Sequence, residues 1–142
     1  MVGEIISSIK RKGASIIFIN DDEQVLLFLR DDKDSIPYPN MWDVPGGHVD
    51  PDESPETCIV REMKEEMDMD LTGHALVSII EFDDRVEHTY WKKENLDIDA
   101  INLMEGQCLK WFIREEARKT ELAYGFNQII EDFYQKELYR KA

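Results

Sequence analysis

Four glutamates and one arginine carry the spacing that could do chemistry: Glu53, Arg61, Glu62, Glu65 and Glu66. Glu62, Glu65 and Glu66 are three and four residues apart, so on a helix their side chains share one stripe, about 5–6 Å between neighbours. Like charges at that spacing repel, and the stripe costs stability unless a cation sits among them. A plain solvated face is the alternative reading of such a stripe. If the stripe holds a cation, its hard oxygen ligands select Mg²⁺ or Mn²⁺, and Mg²⁺ typically shares its shell between a few carboxylates, water and substrate phosphates. The chemistry in view is metal-assisted attack of water on a phosphorus atom.

The elements that must position these residues are legible on either side. Ser54 is a good N-cap, Pro55 fits the first helical position, and Glu56 sits where the helix dipole favours an anion. Ile59, Val60, Met63 and Met67 recur at helical spacing as one apolar stripe. Upstream, Trp42–Val44 reads as a short strand running into a Pro45-Gly46-Gly47 turn, where the missing Cβ lets backbone approach an ion or phosphate.

From Gly47, five residues precede Glu53, seven more precede Arg61-Glu62, and Met63-Lys64-Glu65-Glu66-Met67-Asp68-Met69 follows. This closely resembles the Nudix box, G-x5-E-x7-R-E-U-x-E-E-x-G-U, with U a bulky aliphatic residue. Every fixed charged position matches, and Met63 and Met69 hold the two U positions. Asp68 stands where the family has Gly. That Gly ends the helix in the left-handed conformation, which Asp tolerates less well, so the departure bears on the helix exit rather than on the chemistry.

The resemblance implies a set of roles. Glu65, Glu66 and the carbonyl of Gly46 are the expected metal ligands, with Glu62 as a further ligand or the water-activating base. Glu53 supports the shell and Arg61 orients a glutamate by a charge-assisted bond. Glu105-Gly106-Gln107 resembles a segment of mutator-type Nudix enzymes whose Glu reaches the metal from outside the box, so Glu105 is a further carboxylate. Arg30 is either a surface charge beside Asp31 and Asp32 or, as in many relatives, a contact to phosphate or base. Gly47 and His48 adjoin the phosphate. Trp42 and Tyr38 are each open to core or loop packing or to base stacking. Asn127, beside Tyr124, is a helix-start residue or a base reader.

Composition sets limits around that site. The 142 residues, 42% hydrophobic and 10% aromatic, fit a single domain over residues 1–142 with a sizeable core. A net charge of −14 argues against a surface for a nucleic-acid polymer, which needs basic patches, but not against a small nucleotide delivered with Mg²⁺. Cys58 and Cys108 suggest a reduced intracellular protein. No signal-like or membrane-spanning run is present in the sequence, so cytoplasm is the expected location, as monomer or homodimer.

Along the chain, an amphipathic lead runs to Gly13. Ala14–Ile19 and Gln24–Arg30 read as strands around a turn, together a central hairpin. Residues 31–41, with Pro37 and Pro39, read as an irregular loop. Residues 75–82 and 85–92 read as strands, with Glu81, Asp83, Asp84 and Glu87 as a solvated hairpin tip. Residues 94–104 form a loop with a turn of helix, Cys108–Ile113 a last strand, and Arg114–Ala117 a short helix. Gly125–Lys141 is predicted as a terminal helix burying Phe126, Ile129, Ile130 and Phe133.

Strand–helix alternation with hairpins indicates α/β or α+β; the resemblance implies an α/β/α sandwich, a mixed sheet between the box helix and the terminal helix. It also implies metal-dependent hydrolysis of a diphosphate linkage in a nucleoside triphosphate, or in a related nucleoside diphosphate derivative. A nucleoside-diphosphate sugar and a non-catalytic nucleotide sensor are the alternatives. ADP-ribose enzymes of the family often carry a Pro about fifteen residues past the box, and none occurs between Thr72 and Thr89.

Overall fold

The computed structural model describes residues 10–141; most of the amphipathic lead expected at the start lies outside them. Strand β1 (Arg11–Ile19) alternates Ile17 and Ile19 on one face with Ala14, Ile16 and Phe18 on the other, and all five are buried. A strand apolar on both faces belongs at the centre of a sheet with cover on each side. Each fully buried aliphatic side chain of this size contributes about 1.5–3 kcal/mol.

The chain turns at residues 20–23 into β2 (Val25–Leu29), but the hairpin closes only at Ile19–Val25. Beyond that pair the two strands part. The chain passes between them as β3 (Trp42–Asp43), paired to Phe28 and Leu29 of β2, and β4 (Gly46–His48), paired to Gly13, Ala14 and Ser15 of β1. The expected glycine turn is therefore an extended strand. Its glycines serve a close approach: a Cβ on Gly46, at φ 152°, would overlap the Ala14 carbonyl oxygen.

The box helix α1 (Pro55–Met67) starts as predicted, with Ser54 Oγ accepting from Thr57 N–H at 3.1 Å and Pro55 in the first turn. Its buried stripe is Cys58, Ile59, Met63, Glu66 and Met67, whereas Val60 is exposed, 100° round the helix from Ile59. Asp68 takes the left-handed exit (φ 51°) in place of glycine, with Asp68 N–H to Lys64 O at 3.1 Å and Met69 N–H to Met63 O at 3.2 Å. The Asp68 N–H to Lys64 carbonyl bond is that of an αL helix cap.

Strands β5 (Ala75–Glu81) and β6 (Arg85–Lys93) form an antiparallel pair, and β6 runs parallel to β1 along its whole length. Strand β7 (Cys108–Phe112) lies antiparallel on β2, completing one seven-stranded mixed sheet. The short α2 (Arg114–Lys119) leads to α3 (Phe126–Lys136), shorter than expected because Glu137 turns left-handed (φ 53°). The following turn folds Tyr139 back to 5.5 Å from Phe133.

Two apolar clusters flank the sheet. One packs α1 on Ala14, Ile16, Phe18 and Leu26; the other packs α3 on Ile17, Ile19, Val25 and Leu27. The fold is the α/β/α sandwich the resemblance implied. Among the described residues no helix is long and apolar enough to cross a membrane.

Candidate active site

Where β3 and β4 hold β1 and β2 apart, a cleft of about 810 Å³ opens. On its α1 side lie Glu62, Glu65 and Glu66. Gly47, opposite Ala14 on β1, explains how Glu62 gets there: a Cβ at that position would overlap the Glu62 carboxylate.

Arg61 organises the rest of the acidic stripe. Its guanidinium donates to both oxygens of Glu53 (2.7 and 3.0 Å), to Glu62 Oε1 (3.0 Å) and to Glu65 Oε2 (3.1 Å). A planar fork can hold several carboxylates in fixed directions, which a lysine cannot. Those hydrogen bonds, with a backbone N–H from Asp50, hold the Glu53 carboxyl down at about 2.

Glu66 has the opposite environment. It is 7% exposed, without Arg61, and burial followed by the proximity of Glu62, Glu105 and Asp43 pushes its carboxyl up to about 9. Burial also raises Glu62. Glu105 reaches this group because Met104 N–H donates to the Glu66 carbonyl at 2.7 Å, tying the loop before β7 to the end of α1. Glu62, Glu66 and Glu105 thus gather at one end, with Glu65 exposed on the Arg61 side. Among the described residues no three acidic, histidine or cysteine side chains are closed around a single point. The donor set nevertheless fits a divalent cation: hard oxygens, one of them on a buried carboxyl protonated for want of positive charge.

The other sequence-derived candidates are divided by the structure. Gly46 and Gly47 line the cleft beside the carboxylates. Arg30 lines it too, donating to Asp43 Oδ2 at 3.0 Å and to the Pro37 carbonyl at 3.0 Å, with its guanidinium 5.3 Å above the Tyr124 ring. His48 also lines it, but on the α3 side of the sheet opposite Gly13, away from the carboxylates; burial, then Arg11 and Arg85, depress its pKa. Trp42 packs edge-on against Phe112 (5.0 Å) at the apolar cluster and does not line the cleft. Asn127 is a structural residue: its Oδ1 accepts from Leu122 N–H, and its Nδ2 donates to the carbonyls of Thr120 (2.7 Å) and Ala117 (3.2 Å). Tyr38, 41% exposed, leans on Tyr124, ring centres 4.4 Å apart.

One residue differs from its expected setting. Glu87, expected on a solvated tip, is 4% exposed and accepts from Arg85 Nε at 2.6 Å; Arg85 is equally buried and both line the cleft. The signal available was their spacing. Residues 85, 87 and 89 alternate onto one face of β6, and the register sets Glu87 beside the side-chain-free Gly13.

An arginine-clamped glutamate helix lying along a strand-parted cleft in an α/β/α sandwich defines the class expected from the box. The family model described as NUDIX domain matches residues 9–133, and the chain belongs to that family. It is 30% identical over 123 residues to diphosphoinositol polyphosphate phosphohydrolase 2 of Mus musculus, covering 78% of this chain and 62% of that protein. The chain therefore spans less than two thirds of that relative. A putative 8-oxo-dGTP diphosphatase of Bacillus subtilis is 47% identical over 55 residues, 39% of this chain and 33% of that one. Among solved structures, a MutT protein from Methanosarcina mazei superposes with a TM-score of 0.71 at 23% identity, covering 90% of this chain and 95% of its own.

Proposed function

We propose that this protein hydrolyses a phosphoanhydride linkage in a nucleoside triphosphate or related nucleoside diphosphate derivative, with Mg²⁺ or Mn²⁺ as cofactor. The observation that carries this reading is the buried Glu66 carboxyl, crowded by Glu62 and Glu105 and, among the described residues, without a cationic partner. Glu62, Glu66 and Glu105, with Glu65 and the Gly46 carbonyl, would hold the ion. When bound, it neutralises phosphoryl oxygens and lowers the pKa of coordinated water. Glu62 would take the proton of the attacking water, with Arg61 fixing one of its oxygens. Arg61 and Glu53 act on the reaction by holding Glu62 and Glu65 in place. Arg30, already paired with Asp43, borders the substrate rather than the carboxylates.

The name of the mouse relative raises diphosphoinositol polyphosphate as a second substrate. The cleft lining disfavours so dense a polyanion: its carboxylates outnumber its cations, and Arg30, Arg61 and Arg85 are each already paired with acids. The test is a panel of nucleoside triphosphates, nucleoside-diphosphate sugars, ADP-ribose and a diphosphoinositol polyphosphate, assayed for product release with Mg²⁺ and with chelator. Mg²⁺-dependent release from the nucleotides is expected. Binding without hydrolysis across the panel would instead identify a nucleotide sensor.

A further inference from the structure

The mechanism leaves Arg85 and Glu87 unused, although both are buried and both line the cleft. They lie on the α3 face of the sheet, opposite the face that carries α1. Glu87 pairs laterally with Gly13, and a Cβ on Gly13 would come within 2.5 Å of its Oε1. The carboxylate therefore lies over β1 where any larger residue would exclude it.

An arginine offers five N–H donors. Three of Arg85's donors are met, by Glu87 (2.6 Å), Asp84 (3.2 Å) and the Tyr124 carbonyl (3.0 Å). Among the described residues no partner meets its other two N–H groups, although the side chain is only 5% exposed. A purely structural ion pair in so buried a place would be saturated, since unmet donors there are costly. The local charges also leave no positive excess: Arg85 faces both Glu87 and Asp84. An anion such as phosphate finds no net attraction there. What fits is a neutral planar group with both an acceptor and a donor on one edge, lying against Tyr124 and Phe126 in the cleft.

We infer that Arg85 and Glu87 together read the base of the substrate and select one bearing an exocyclic amino group. Arg85 donates to a ring nitrogen or carbonyl, and Glu87 accepts from the adjacent amino N–H. Carboxylates accept from exocyclic amines and arginine donates to base acceptors by this same geometry in nucleic-acid grooves. The inference rests on the nucleotide reading above and names the selectivity of that same site.

The experiment compares kcat/KM within two pairs, GTP with ITP and CTP with UTP, which differ in or beside the amino group. Wild type should favour the amino-bearing member of at least one pair by about fivefold or more. Glu87→Gln should bring that ratio below about fivefold, and a ratio is independent of how much of the variant is folded. Should that variant yield no folded protein, Arg85→Lys, which lacks the planar fork, must produce the same loss. Ratios below about fivefold in both pairs for wild type, or a preference that survives the substitution, would overturn the assignment alone. Absence of hydrolysis of all four nucleotides would overturn it together with the nucleotide reading.

Discussion

At the α1 end of the cleft carboxylates exceed cations, and burial with its acidic neighbours pushes the Glu66 carboxyl up to about 9; at the α3 end Arg85 already faces Glu87 and Asp84. The first end is built from one helix, the strand before it and Glu105 from the loop before β7. The second is assembled from β1, β6 and the turn before α3. One end is suited to a cation and the phosphates it neutralises, the other to a neutral hydrogen-bonding edge. On the proposed function, a protein of net charge −14 would receive an anionic substrate by drawing attraction from a cofactor at one end and selectivity from uncharged hydrogen bonding at the other.

The sharpest break of this contrast is Glu66→Gln. Turnover should fall at least about a hundredfold, or about 2.7 kcal/mol of transition-state stabilisation, while the GTP/ITP and CTP/UTP ratios stay as in wild type. Near-normal kcat/KM in a folded variant would remove Glu66 from the reaction.

Arg61→Lys comes next, because it keeps the charge but gives up the fork that holds Glu53, Glu62 and Glu65. Loss of a residue that orients ligands typically costs roughly 10–100-fold in metal affinity or activity. Mg²⁺ titrations of activity read both. An unchanged midpoint and rate would make the Arg61 cluster a surface feature only.

A pH effect follows in size. With its carboxyl at about 9, Glu66 binds a proton in the metal-free fold that it would lose in the unfolded chain well below neutrality. Folded-state pKa above unfolded for an acid means that stability declines as pH rises from the ordinary carboxylate range towards 9. Mg²⁺ must displace that proton, so its apparent affinity should rise by about tenfold per unit between pH 6 and 8. Calorimetry at pH 7 in two buffers of different ionisation enthalpy should detect release of about one proton. Zero release would mean the ion avoids Glu66.

The smallest effect belongs to Asp68→Gly, which restores the residue the box has there. It relieves a left-handed Asp but removes the exposed Lys64–Asp68 pair at 3.3 Å, so a gain of no more than about 1 kcal/mol is expected. In melting temperature that is a rise of up to about 4 °C. Activity should not change; a large change would show that the helix exit positions Glu65 or Glu66.

Local order along the chain determined the α1 end. Ser54 and Pro55 start a helix whatever surrounds them, and a 3.6-residue period fixes which glutamates are neighbours, so Glu62, Glu65, Glu66 and their arginine could be read without any tertiary contact. Which of those glutamates is buried could not. Burial, then Glu62, and then Glu105 and Asp43 single out Glu66, and Glu105 arrives on a loop tied back by Met104 N–H to the Glu66 carbonyl. The same dependence on distant partners turned Val60 outward, kept Asn127 for the backbone of residues 117–122, and committed Trp42 to Phe112. At the α3 end the sequence alone was silent for a physical reason. Arg85 and Glu87 look like any charged pair near a turn, and their burial is decided by the parallel register with β1, seventy-four residues away in the chain, where Gly13 leaves room for a carboxylate.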